Sequence, residues 1–325
     1  MARLASASLV AGAVLAPAAL VPGLLAASAG RGSADRRAAA GPREYSCPIF
    51  PASNPLNQDI SRAPVDPRSA GYIAAIGAEG HLHADFGTNP SYGIPYTVVG
   101  PHQPRARITF TAYGSESNPG PYPVPAGAPV EGAGAEGDRH VLVLQRGSCK
   151  LYELYDAHRI PAGSGSPGWE AASGAVFKLG SNALRPDGWT SADAAGLPIF
   201  PLLVRYPEVR AGRIDHALRV TVARTQRGFI HPATHFASGS SDPTLPPMGL
   251  RLRLKASFNL AGYRGEALVV LQALRRYGLI VADNGSSWYI TGAPDRRWRD
   301  EDLDQLKRVP GSAFEAVRTG PVRLR

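Results

Sequence analysis

The sequence predicts a mainly β protein, an antiparallel β-sandwich of jelly-roll or concanavalin-like type with two or three short peripheral helices. Three observations carry this. Gly (36) and Pro (30) are abundant in the 325 residues, which favours many turns over long helices. Short runs with strand character recur: YTVVG, ARITFTAY, HVLVLQ, KLYELYDA, GAVFKL, HALRVTVAR and GLRLRLKASF. Gly, Pro, Ser and Asn clusters separate them, as in all-β sandwiches. Helical spacing is confined to a few short stretches, and an α+β arrangement with a small helical C-terminal part is the alternative.

Taken in order, residues 1–29 read as a secretory signal peptide. Arg3 supplies the positive start, Leu9 to Leu25 the apolar run, and Ala27-Ser28-Ala29 a small-residue cleavage site. Residues 30–44 are rich in Arg, Ala and Gly without periodicity and read as a disordered leader. Residues 45–325 then form a single β-rich catalytic or binding domain. No later stretch is long and apolar enough to span a bilayer, so no membrane contact is expected after cleavage.

A short helix is expected over DPRSAGYIAAIG (66–77), with Pro67 near its start and Gly77 as its stop. RGEALVVLQALRRY (264–277) repeats Leu268, Leu271 and Leu274 at helical spacing, and Gly278 stands at the C-cap position. DEDLDQLKRV carries acidic residues in its first turn, as a third helix would. ADNGSSWYITGAP reads as a hairpin about Asn284-Gly285 and, second, as part of a binding rim.

Cys47 and Cys149 are the only cysteines. In an exported chain an even pair reads as one disulfide, and with no further thiol no zinc or redox site follows. Net charge is +9, or +8 without Arg3. Such a chain can adhere to acidic polymers. Nucleic acid is not expected, because no basic helix, zinc module or aromatic-interleaved basic patch occurs.

The most chemical stretch is DRHVLVLQRGSCKLYELYDAH (138–158). A two-residue Gly147-Ser148 turn of type II′ sets Leu142 opposite Glu153 and His140 opposite Tyr155. His140 and Glu153 then share one face as diagonal neighbours. A carboxyl among Leu142, Leu151 and Tyr155 would be held protonated by desolvation, as a general acid requires. Glycoside hydrolysis needs a second carboxylate. Asp156, Glu131, Asp85 and Asp193 are the possible partners, and Asp193 is preferred because it lies with Trp189 in the small-residue loop RPDGWTSADAAGLPI. His216, mid-strand in IDHALRV, completes the catalytic set of Glu153, Asp193, His140 and His216. Trp189, Tyr155, Arg219 and Trp288 are the candidate substrate-binding residues.

HLHADFG places His81, His83 and Asp85 along one side of an extended chain. HPATH places His231 and His235 four apart, but Pro232 argues for a loop and no HExxH glutamate is present. No metal and no cofactor are therefore expected. GxSxG, GxGxxG and P-loop motifs do not occur.

DRHVLVLQ, CKLYELYDA, GWTSADAAGLPIFPLLVRYPEV, IDHALRV, LPPMGLRLRLKASF and LIVADNGSSWYITGAPDRRW together resemble a recurrent family of secreted proteins of unassigned function. The resemblance covers most of residues 45–320 and implies export without naming a reaction. The expectation is thus a secreted carbohydrate-active hydrolase, whose partner is a polysaccharide or other extracellular polymer, acidic ones included. A polysaccharide lyase using His140, Tyr155, His216 and Arg219, or a non-catalytic glycan-binding wall protein, are the alternatives. Oligomeric state is not legible.

Overall fold

The computed structural model describes residues 41–161 and 168–324. The signal-peptide assignment and most of the leader lie outside these residues. Within them no helix is long and apolar enough to cross a membrane. Fifteen strands are β1 Arg43–Glu44, β2 Cys47–Pro48, β3 His83–Asp85, β4 Tyr96–Val99, β5 Arg107–Phe110, β6 Val141–Gln145, β7 Lys150–Tyr155, β8 His158–Ile160, β9 Gly168–Ala171, β10 Ser173–Lys178, β11 Leu218–Val222, β12 Arg251–Leu254, β13 Leu279–Asn284, β14 Tyr289–Thr291 and β15 Phe314–Val317. Four α-helices are α1 Ser69–Ile76, α2 Tyr206–Arg210, α3 Gly265–Arg276 and α4 Asp300–Leu303. The protein is mainly β. Arg43 and Glu44, read above as the end of the leader, already pair as β1 with β2.

Two sheets dominate: a four-stranded one ordered β10-β7-β6-β4 and a six-stranded one ordered β15-β12-β13-β11-β14-β3. A three-stranded sheet, β5-β9-β8, flanks the first. The pairing is mixed, not purely antiparallel as expected: β4/β6, β5/β9, β11/β13 and β14/β3 run parallel. Parallel neighbours need a long crossover. The chain supplies one between β11 and β13, where β12 and α3 intervene.

All five residues of β6 are buried, and the pleat explains why. Leu142 and Leu144, with Leu151, Ala175 and Phe177, enter the core that holds Leu218, Val220, Val281 and Ile290 of the six-stranded sheet. Val141 and Val143, with Tyr152 and Leu154, enter a second core with Trp169, Ala171 and Tyr122. The central sheet is therefore covered on both faces. Full burial of each Leu or Val side chain stabilises by about 1.5 to 3 kcal/mol.

The three predicted helices form. The buried stripe of α3 is Ala267, Val270, Leu271 and Leu274, with Leu268 at its margin. Gly278 takes φ +71°, and its N–H and that of Tyr277 both reach Ala273 O. A Cβ there would meet Leu252 O at 2.1 Å, so only glycine fits. The short helix α2 was not legible. Its Pro207 sits in the first turn, where a missing N–H costs nothing.

The hairpin register is as expected: Leu142 pairs with Glu153 and Leu144 with Leu151. Its loop, however, is the four residues between Gln145 and Lys150, with Gly147 and Cys149 at positive φ. The two-residue and four-residue loops share one centre, between Gly147 and Ser148, so the pairing survives the change of turn. The hairpin tip is bonded as predicted, Cys149 to Cys47, with Cα atoms 5.3 Å apart. Closing a loop of this span stabilises by about 4 to 5 kcal/mol in the chain-entropy model.

The hairpin expected at Asn284-Gly285 does not form. Strand β11 lies between β13 and β14 and pairs with both. The connection passes over the end of β11, where Gly285 N donates to Val222 O and Thr221 Oγ1 to Ser286 O.

Candidate active site on the polar face of the six-stranded sheet

Three neighbouring strands of the six-stranded sheet, β11, β14 and β3, alternate between the core and the opposite face. In β11, Leu218, Val220 and Val222 enter the core, and Arg219 and Thr221 face the other way. Ala84 and Ile290 do the same for β3 and β14. The pairing aligns the opposite set: His83 with Tyr289, Asp85 with Thr291, Tyr289 with Thr221 and Thr221 with Asp283. The result is a row of polar side chains across one face.

Arg219 is the buried centre of this row. Its Nη1 donates to Thr291 Oγ1 (2.8 Å), and its Nη2 donates to Asp193 Oδ1 and Asp283 Oδ2 (3.0 Å each). Asp193 is fully buried. Burial raises its pKa above the ordinary value, against the opposing pull of Arg219. Burial, with the charge of Asp193 beside it, also pushes Asp283 up to about 6, although Arg219 works the other way.

The facing wall carries Glu131 and His140. Glu131 Oε2 accepts from His140 Nδ1 (2.5 Å) and from the His140 backbone N–H (3.2 Å). His140 Nε2 meets Ala192 O at 2.8 Å. Both ring nitrogens thus face acceptors, which requires the doubly protonated ring. Burial opposes that charge, but Glu131 outweighs it and lifts His140 to about 9. Burial likewise opposes the charge of Glu131, and His140 overcomes it, holding the carboxyl below its ordinary range.

These walls enclose a cavity of about 240 Å³ lined by Asp85, Glu131, Asp138, His140, Arg219 and Asp283, among others. A cavity of about 370 Å³ adjoins it, sharing Asp138, Asp283 and Asn284, and adding Tyr113, Tyr155, Asp193, His235 and Phe236. On the other side a cavity of about 480 Å³ shares Asp85 and Tyr289, and adds His83, Tyr92, Asp300, Asp304 and Lys307. His83 stacks on Tyr289 with ring centroids 4.1 Å apart.

Of the residues singled out from sequence, His140, Arg219, Asp193, Tyr155, Glu131 and Asp85 come together here. Glu153 does not. It is fully buried, lines none of these cavities, and accepts backbone N–H bonds from Ile199 (2.9 Å) and Phe200 (2.9 Å). Burial pushes it up to about 7, against those two donors. The expected cleft beside Glu153 is instead the 3₁₀ turn Phe200–Leu202, which the carboxyl caps. Trp288 is also corrected: it is 0% exposed, stacks on Phe314 and donates its indole N–H to Gly77 O. His216 lies in a separate buried network with Arg205 (3.0 Å) and Glu208 (3.2 Å). Trp189 is half-buried beneath the Arg185 guanidinium and lines none of the three cavities.

The histidine motifs separate as well. His231 pairs with Asp187 (2.7 Å), whereas His235 Nδ1 meets Ala194 O (2.8 Å). The described residues do bring one ligand-capable group together: Glu131, Asp138 and His140 place ligand atoms within 4.8 Å of one another. They could hold a divalent cation once the proton between His140 and Glu131 departs, with Nε2–H on Ala192 O fixing the ring. Asp283 and Asp138 were missed in the sequence reading. The available signal was their place at the ends of apolar runs, Asp138 just before HVLVLQ and Asp283 just after LIVA.

Comparison with known proteins returns no matching family model, no matching curated protein and no matching solved structure.

Proposed function

We propose that this protein is an exported carbohydrate-active hydrolase whose acid and base are Asp283 and Glu131. The observation that carries the reading is that both carboxyls line one cavity while their environments drive their pKa values apart. Such divergence is how one site supplies an acid and a base at the same pH. Asp283 gives its proton to the departing glycosidic oxygen, and Arg219 then stabilises the carboxylate left behind. Glu131, kept ionised by His140, activates water or attacks the sugar carbon directly. Asp193 serves as a counter-ion to Arg219.

The apolar N-terminal run and the Cys47–Cys149 bond support export. A sandwich of jelly-roll or concanavalin-like type is the architectural part of the proposal. Two sheets burying faces in a common core support it, and the parallel pairings set it apart from a pure jelly roll. The lyase alternative needs a neutral base, and His140 has both nitrogens committed to acceptors.

The test is a polysaccharide panel scored for new reducing ends, with Asp283→Asn and Glu131→Gln beside the parent. Each variant should fold and lose about 10²- to 10⁴-fold in rate. Retention of the polymer without any product from the parent would make the protein a binding module, and full activity in both variants would refute the assignment.

A further inference from the structure

We propose that the three cavities form one groove for a cationic glycan, a chain of amino-sugar units bearing free ammonium groups, with the carboxylate pair at its middle. The position of cleavage rests on the hydrolase reading; the binding does not.

The order of the cavities carries the polymer. The middle cavity shares Asp138, Asp283 and Asn284 with one neighbour and Asp85 and Tyr289 with the other, and the neighbours share no lining residue with each other. The smallest cavity, with the chemistry, is thus flanked by larger space on both sides, as in a site that cuts within a chain. Each outer cavity holds an outward tyrosine. Tyr92 is 57% exposed at one end and Tyr113 is 45% exposed at the other. Large apolar side chains this exposed are few among the described residues, and these two frame the row. The stacked pairs His83/Tyr289 and His235/Phe236 add ring faces in between, and such faces suit the apolar side of a pyranose.

Charge selects the polymer. The chain carries 35 basic and 26 acidic residues. Seven of the acidic side chains line the three cavities, against three cations, Arg219, Lys307 and the protonated His140. All three are already paired, Arg219 with Asp193 and Asp283, Lys307 with Asp304, and His140 with Glu131. The exposed Asp138 carboxylate accepts no hydrogen bond from the described residues, and it lines two of the cavities. A uronate chain would meet repulsion here, while an ammonium at each ring would find a counter-charge. The basic exterior therefore misleads about the substrate, because the groove has the opposite sign.

Titration calorimetry with glucosamine hexamer, N-acetylglucosamine hexamer, galacturonate hexamer and hexalysine tests this. The glucosamine hexamer should bind at least about tenfold tighter than the acetylated one, and added salt should weaken it. Asp138→Asn should weaken it several-fold. Tyr92→Ala and Tyr113→Ala should each weaken the hexamer more than the dimer. Tighter binding of the galacturonate hexamer, or of hexalysine over every glycan, or no glycan binding at all, overturns the proposal. Binding without cleavage by the parent sinks the hydrolase reading alone. Cleavage confined to neutral or uronate glycans sinks this one alone.

Discussion

Arg219 grips Asp193 and Asp283 simultaneously, with one Nη2 at 3.0 Å from an oxygen of each. One cation thus neutralises two carboxylates in a place where water reaches only Asp283. Removing the arginine by Arg219→Leu leaves both acids without a counter-charge. Such an orphaned buried pair costs about 3 to 5 kcal/mol. Urea denaturation should show that loss, and Asp193→Asn in the same background should recover part of it. An unchanged midpoint for Arg219→Leu would refute the counter-ion role.

His140 makes stability depend on alkaline pH. Its folded pKa of about 9 lies above the ordinary 6.5. The stabilisation is complete below about 6.5 and disappears as pH rises through 9. A fully buried group with that shift contributes up to about 3 kcal/mol. Melting curves from pH 6 to 10 should fall steeply for the parent. In His140→Asn, destabilised throughout, that slope should be missing.

Asp283 sets the other limit, for activity. As the proposed acid it works only while protonated, so kcat/KM should fall as pH rises through about 6. Glu131, held below its ordinary range, loses its charge only in more acidic solution. A bell-shaped profile with its optimum on the acidic side should result. A rate that stays flat from pH 5 to 8 contradicts the assignment of Asp283.

Glu153→Gln probes a position whose role the structure changes. Glu153 Oε1 accepts from both Ile199 and Phe200 N–H, and Oε2 also accepts from Ile199 N–H. A glutamine therefore keeps the bonds to one oxygen and sets its amide N–H against the Ile199 N–H in place of the other. The variant should lose about 1 to 3 kcal/mol in thermal denaturation. Its specific activity, per folded molecule, should match the parent. A hundredfold fall in kcat with an unchanged fold would return Glu153 to the reaction.

Much of this was legible because it depends on local rules. Strand-like runs, the α3 stop at Gly278 and the hairpin register follow from period and turn parity, which need no knowledge of distant chain. The disulfide followed from arithmetic on two cysteines. Partners from far away were not legible. Glu153 among Leu and Tyr residues promised a desolvated acid, and it is one, with a pKa near 7. What sequence could not reveal was the Ile199–Phe200 turn that arrives to cover it. The Asn284-Gly285 hairpin failed for a related reason: turn chemistry specified a reversal, and β11 claimed the space between the two arms. Trp288 followed it inward. Asp283 and Arg219 meet only because β13 and β11 run side by side, a pairing with no local signature.

The parallel pairing of β3 with β14 joins His83 to Tyr289, about 200 residues away along the chain. Asp85 enters the site through that contact, Glu131 through its hold on His140, and Asp283 through β13. No single segment of the polypeptide owns the chemistry. Pairings at this separation are slow to find, since chain closure precedes any gain from contact. The polar row is therefore among the last features to mature, and under the proposed function a partly folded chain would be inert. The proposed activity should appear, after dilution from denaturant, only behind the recovery of secondary structure, which would make catalysis a clock for completed folding.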